Sequence, residues 1–159
     1  MNHLKSFKNI TPGYGLLEKL LSKKRMATAN MLIGQTTANR GKILDIGCGV
    51  TPLFLMNSDF QEKFGVDPSV DTSFQTQNLT LTKFDLENEA TLPFADNNFD
   101  VVTMLAVFEH IEQHRLPQAL REIYRVLKPG GVFILTTPCP WTDKLLRFLA
   151  FFNIVSQEG

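Results

Sequence analysis

Lys42-Ile43-Leu44-Asp45-Ile46-Gly47-Cys48-Gly49 is the stretch on which the fold turns. Its first five residues form a short β-rich run that ends directly in a Gly-Cys-Gly loop. Thr51-Pro52 follows, two residues suited to the N-cap and first position of a new helix. Downstream, Phe64-Gly65-Val66-Asp67-Pro68 reads as a second strand ending in an acid. Residues 79–84 read as a third strand ending at Asp85, and 99–105 as a buried fourth strand after the polar loop 92–98. A helix over 117–127 carries Leu120, Ile123, Tyr124 and Leu127 on one face, Pro129-Gly130-Gly131 stops it, and 132–136 form a fifth strand. Upstream, Thr11-Pro12-Gly13 reads as a turn. Leu16, Leu17, Leu20, Leu21, Met26, Met31 and Leu32 then recur at mostly helical spacing, with Lys19, Lys23, Lys24 and Arg25 outward, until Asn39-Arg40-Gly41. Residues 141–155 read as a last helix. Strands that want cover on both faces, alternating with helices, predict an α/β, doubly wound, mostly parallel sheet with five visible strands.

The 159 residues fit one domain, and a composition 43% hydrophobic and 20% charged excludes a disordered or collagen-like chain. Sixteen basic residues balance sixteen acidic ones, so the chain lacks the electrostatic footprint of a nucleic-acid binder, and no nucleic-acid partner is expected. Two cysteines, Cys48 and Cys139, make no disulfide framework, and with three histidines they make no spaced metal cluster. The N-terminal residues hold no signal-peptide-like apolar run. The most apolar stretch, 145–155, is broken by Arg147 and Asn153 and falls short of the roughly 20 residues of a membrane span. The expectation is a reduced, cytoplasmic protein with no transmembrane segment.

The chemistry starts at the glycine loop. Gly47 and Gly49 let backbone approach a ligand closely, and a following helix N-terminus would add unpaired N–H groups. A tight strand-to-helix turn needs glycine anyway, so the loop alone is also compatible with a purely structural role. Asp67, eighteen positions after Gly49, adds to it: a carboxylate at the end of the second strand can accept hydrogen bonds from both ribose hydroxyls of a nucleoside. A dinucleotide fingerprint would need glycine or alanine three positions after Gly49, where Pro52 stands. The pattern therefore wants a nucleoside without a pyrophosphate cradle.

The chain resembles the class I S-adenosylmethionine-dependent methyltransferases, in their type 11-like form. Residues 43–49 resemble the first motif of that family and Gly65-Val66-Asp67-Pro68-Ser69 the second, and Asp85 falls at its adenine-contacting acid. Residues 92–102, Phe108-Glu109-His110-Ile111 and 125–131 are also similar, in order, from about 43 to 138. The resemblance implies a Rossmann-like domain in three parts: an N-terminal helical cap (1–40), a cofactor-binding core (41–138) and a C-terminal helix (139–159). It implies S-adenosylmethionine as cofactor and S-adenosylhomocysteine as product. Asp45, Gly47, Cys48 and Gly49 would form the methionyl-side loop, Asp67 with Pro68 would hold the ribose, and Asp85 with Leu86 the adenine. Backbone near Leu105 and Ala106 would face the acceptor.

Two departures stand out. Thr51 stands where many members of the family carry a third glycine, and the five strands legible in the sequence leave an expectation that the antiparallel hairpin completing the family's seven-stranded sheet is missing. The fifth strand would then be an open edge beside an apolar helix, which predicts a homodimer through both or a fragment of a longer protein. The acceptor would be a small molecule, a lipid or a glycan; the alternative is a non-catalytic or partner-dependent cofactor-binding subunit. His110 is the candidate base, against the plainer role of a hydrogen-bonded residue at a helix start. His110 and His114 are four apart, with Glu109 and Glu112 nearby, but no third ligand is spaced to hold a metal, and none is expected.

Overall fold

The computed structural model describes residues 12–36 and 40–137. Expectations for 139–159, including the helix at 141–155 and Cys139, lie outside the described residues. Five strands, β1 (Lys42–Ile46), β2 (Glu62–Val66), β3 (Leu79–Thr82), β4 (Phe99–Leu105) and β5 (Leu127–Thr136), form one sheet in the order β3-β2-β1-β4-β5. Every ladder is parallel. Strand order reverses between β1 and β4, which places the ligand-binding crevice of a doubly wound sheet at the C-terminal ends of these two strands.

Alternate residues of a strand face opposite sides of its sheet, and both sides here are apolar. Leu44, Ile46, Val102 and Met104 pack with Leu116, Leu120 and Ile123 of α3 (Leu116–Val126). Ile43, Val101 and Ile134 pack on the other side with Ala29 and Ile33 of α1 (Pro12–Gly34) and with Phe54 and Leu55 of α2 (Leu53–Met56). Phe64, Phe94 and Phe99 meet edge to face at centroid distances of 4.9–5.8 Å, fixing the loop before β4 against the sheet.

Several elements differ from the sequence expectation. The helix α1 already starts at Pro12, where a turn was expected, because proline fits the first helical position. Met26, Ala29 and Ile33 face the sheet, whereas Leu21 and Met31 are exposed. α2 has four residues, with Pro52 and not Thr51 at its N-cap and no side-chain cap, so it contributes little dipole to the site. Pro129-Gly130-Gly131 does not separate helix from strand. β5 runs through it from Leu127, with Gly130 at φ 77° and a register shift opposite Phe99/Val101. A bulge is where a strand tolerates a residue without an N–H.

Candidate functional site

Two cavities open at the C-terminal ends of β1 and β4. The larger, about 450 Å³, is lined by Gly47, Asp67, Pro68, Asp85, Leu86, Leu105, Ala106 and His110 among others. The smaller, about 230 Å³, is lined by Asp45, Gly47, Cys48, Gly49 and Leu105, and by Ser22, Arg25 and Met26 of α1. Gly47 and Leu105 belong to both, so the cavities adjoin there. Together they fall in the range of about 300–1,000 Å³ typical of small-ligand sites. All ten residues expected from sequence to meet a cofactor line one cavity or the other.

Gly47 and Gly49 both sit at positive φ, 75° and 76°. A Cβ on Gly47 would overlap the Cγ2 of Val107, whereas one on Gly49 would meet nothing within 4 Å among the described residues. Val107 thus lies directly over the loop while the space beside Gly49 stays open. The N–H groups of Gly47 and Cys48 both donate to the Val66 carbonyl (2.8 and 3.3 Å), and that of Gly49 donates to Asp67 Oδ2 (3.0 Å). Three successive loop donors are thereby used inside the protein. The loop offers a ligand shape, not the row of free N–H groups that a pyrophosphate needs.

Asp67 also accepts from the Ser69 N–H through Oδ1 (2.7 Å). An ionised carboxylate has about four acceptor positions, so two internal bonds leave room for two hydroxyl donors. Asp85 is likewise engaged, with Oδ1 accepting from the Glu87 N–H (3.0 Å) and Oδ2 from Asn88 Nδ2 (2.7 Å). The Asn88 amide, then the Glu87 N–H, holds its carboxyl below the usual range. It caps its own turn and also lines the larger cavity.

Asp45 is 2% exposed and accepts from Thr103 Oγ1 at 2.7 Å, its register partner on β4. Burial pushes its carboxyl up to about 7, partly countered by the Thr103 bond and helped by the like charge of Asp67. Burial, then Asp45 and Asp67, pushes the Cys48 thiol up to about 12, which keeps it in the neutral, weakly nucleophilic form. Ala106 has φ 60° with its N–H bonded to the Thr136 carbonyl (2.9 Å). A non-glycine residue held there stores strain of about 1–2 kcal/mol, and it stands on the wall of the larger cavity.

His110 ends a short 3₁₀ turn (Phe108–His110), is exposed, and donates its N–H to the Val107 carbonyl (2.9 Å). It borders the same cavity as Asp67 and Asp85, and the smaller cavity, which holds Asp45 and Gly49, does not include it. His114 instead pairs with Glu112 at 3.2 Å on the surface. Among the described residues no helix is long and apolar enough to cross a membrane.

Sequence reasoning missed Ser22 and Arg25, because polar residues on α1 carry no signal of lining a cavity beside β1. It also missed Thr103, hidden in an apolar strand, and Val107, whose contact with Gly47 needs the third dimension.

The sequence model described as "Methyltransferase domain" matches residues 44–135, more than half of the chain. The demethylmenaquinone methyltransferase of Symbiobacterium thermophilum is 30% identical over 155 residues, 89% of this chain and 61% of that protein. The enzyme of that name from Listeria monocytogenes serotype 4a is 31% identical over 80% of this chain and 58% of its own. The chain therefore spans about three fifths of the length of these relatives. The PH0226 protein of Pyrococcus horikoshii OT3 superposes with a TM-score of 0.61 at 29% identity, over 84% of this chain and 61% of that one. With its parallel sheet and crevice, the chain belongs to the class I S-adenosylmethionine-dependent methyltransferase family.

Proposed function

We propose that this chain binds S-adenosylmethionine across the two adjoining cavities and transfers its methyl group to a small-molecule, lipid or glycan-type acceptor. The observation that carries this is the gathering of two strand-end carboxylates and a donor-depleted glycine loop around one crevice. The larger cavity takes the nucleoside, with Asp67 on the ribose hydroxyls and Asp85, beside Leu86, on the adenine amine. The smaller cavity takes the methionyl end along Asp45, Cys48 and Gly49. When bound, the cofactor supplies a methyl group on a positively charged sulfur. The protein holds the acceptor in line with that bond, which can supply much of the acceleration without a dedicated base. His110 therefore serves the nucleoside cavity in this arrangement and is not needed as a base.

Two matched relatives carry the name demethylmenaquinone methyltransferase, which favours an acceptor of that kind. Incubation with S-adenosylmethionine and demethylmenaquinone should yield S-adenosylhomocysteine. Cofactor binding without product, across lipid, glycan and quinone acceptors, would favour the second reading, a binding subunit or part of a longer enzyme. The chain's span of about three fifths of its relatives supports that alternative. Covering of the β5 edge, which pairs on that side with no strand among the described residues, by a second copy or by strands of a longer polypeptide belongs to the same proposal, and light scattering separates the two.

Asp67→Ala should weaken cofactor binding ten- to a hundred-fold. It removes charge-assisted bonds worth about 1.5–3 kcal/mol and frees the Gly49 N–H from its anchor. Unchanged affinity in a calorimetric titration would take Asp67 out of the site.

A further inference from the structure

Large apolar side chains exposed among the described residues are Leu21, Met31, Val50, Leu53, Met56 and Tyr124. Scattered singly, such residues need no explanation, but Leu21, Val50, Leu53 and Met56 gather around the smaller cavity. Leu53 lines it, Val50 stands between its lining residues Gly49 and Thr51, and Leu21 precedes Ser22, which lines it from α1. Met56 lies one helical turn from Leu53, and these two form the outer face of α2 while Phe54 and Leu55 are buried. All four are about half exposed, 48–56%. Cations adjoin them: Lys23 and Lys24 are exposed and Arg25 is half-buried on the same turn of α1. Among the described residues no carboxylate lies within 4.0 Å of these three. An acid also adjoins the rim. The Asp71 N–H donates to the Val50 carbonyl, and its own Oδ1 accepts from the Ser73 N–H. In a chain of zero net charge, three successive cations beside bare apolar groups give this face a local character of its own.

From this placement we infer that the face around the smaller cavity docks on an anionic lipid bilayer and takes its methyl acceptor from there. The inference rests on the methyl-transfer reading above and chooses the lipid class among its acceptors. Water satisfies the cations but not the apolar groups, and a purely apolar partner would strand the cations. The surface of an anionic bilayer serves both. Its phosphate-bearing headgroups attract Lys23 and Lys24. Just beneath them, the boundary with the acyl chains takes Leu21, Val50, Leu53 and Met56 out of water. No membrane-spanning segment is required, because a few half-exposed side chains enter only the headgroup region. With the smaller cavity opening beside the bilayer, a lipid acceptor reaches the methyl group without exposing its apolar part to water.

The test is co-sedimentation of the chain with vesicles of phosphatidylcholine alone and of phosphatidylcholine mixed with phosphatidylglycerol. Binding should require the anionic lipid and weaken as salt is added. Lys23→Gln together with Lys24→Gln should weaken it about ten- to thirty-fold. Met56→Asp should weaken it about ten-fold or more, through lost apolar contact with the cations intact. None of these side chains lines either cavity, so both variants should bind S-adenosylhomocysteine in solution as the wild type does. That readout guards against a folding defect. Equal binding to both vesicles, binding to neither, or binding that both variants leave unchanged overturns the inference and leaves the cofactor reading standing. A dimer in light scattering that Met56→Asp dissociates assigns the face to a second copy and also overturns it. Failure of S-adenosylhomocysteine to bind the chain in solution overturns the cofactor reading instead, and the choice of acceptor with it.

Discussion

Gly47→Ala should abolish measurable cofactor binding, a loss of a hundred-fold or more. The new methyl group would occupy the space of Val107 Cγ2, and the residue would be held at φ 75°, where side chains are disfavoured. The left-handed conformation costs about 1–2 kcal/mol, and crowding a packed site adds about 1–3 kcal/mol. Relief comes only by moving Val107 or the loop, and both line the crevice. Gly49→Ala is the matched control. It has a similar φ of 76° but open space around the added atom, so it should carry the conformational cost alone. Affinity should thus fall at least ten-fold further at Gly47 than at Gly49, and Val107→Ala should recover part of the Gly47 loss. Equal losses at both glycines, with no recovery, would show that the Gly47–Val107 approach does not shape the site.

The largest effect on stability should come from Arg125 of α3. Its guanidinium makes five hydrogen bonds: two to Glu122 (2.7 and 2.9 Å), one to Asp96 (2.7 Å), and two to the carbonyls of Leu92 and Phe94 (3.1 and 2.8 Å). One side chain therefore ties the loop before β4 to the helix after it. Glu122, 14% exposed, also accepts from the Leu92 N–H at 2.8 Å, and Arg125 holds its carboxyl below the usual range. Arg125→Met leaves that carboxylate without its cation and the Phe94 carbonyl without its donor, while the Leu92 carbonyl keeps the Phe94 N–H (2.7 Å). The expected loss is about 2–4 kcal/mol, or roughly 10 °C in melting temperature for a domain of this size. Lysine at this position should restore less than half, because a point charge cannot serve a fork of partners. The sign with pH follows from Glu122. Its lowered carboxyl contributes stability above the ordinary carboxylate range, and that contribution is lost as the pH falls through its folded value. The gap between wild type and Arg125→Met should therefore narrow in acid. A shift below about 2 °C at neutral pH would show that the loop is held by its phenylalanines instead.

How far the sequence spoke depends on the kind of signal each element carried. β1 and β4 were legible to the residue, because apolar strands buried on both faces end abruptly at Gly47 and Ala106. β2 begins two residues earlier than its apolar run, since Glu62 and Lys63 pair in the ladder without being buried in the core. β5 starts at Leu127, ahead of the apolar run 132–136, because Pro129-Gly130-Gly131 has the composition of a break and only the partner strand reveals a bulge. The inner stripe of α1 includes small Ala29, which hydrophobic spacing cannot single out from its louder leucines. At the crevice, the strand-end acids and glycines were readable because each sits one or a few residues beyond a strand. Arg25 and Thr103 were not, because their meaning arises only when α1 and β4 are laid against Asp45.

A crystal structure of the chain with S-adenosylhomocysteine tests the central claim most directly. In it the ribose should lie within hydrogen-bond distance of Asp67, the adenine beside Asp85 and Leu86, and the amino-acid end in the smaller cavity, passing Gly47. A ligand seated elsewhere, or a crevice that takes up a nicotinamide dinucleotide and not S-adenosylhomocysteine, would contradict it.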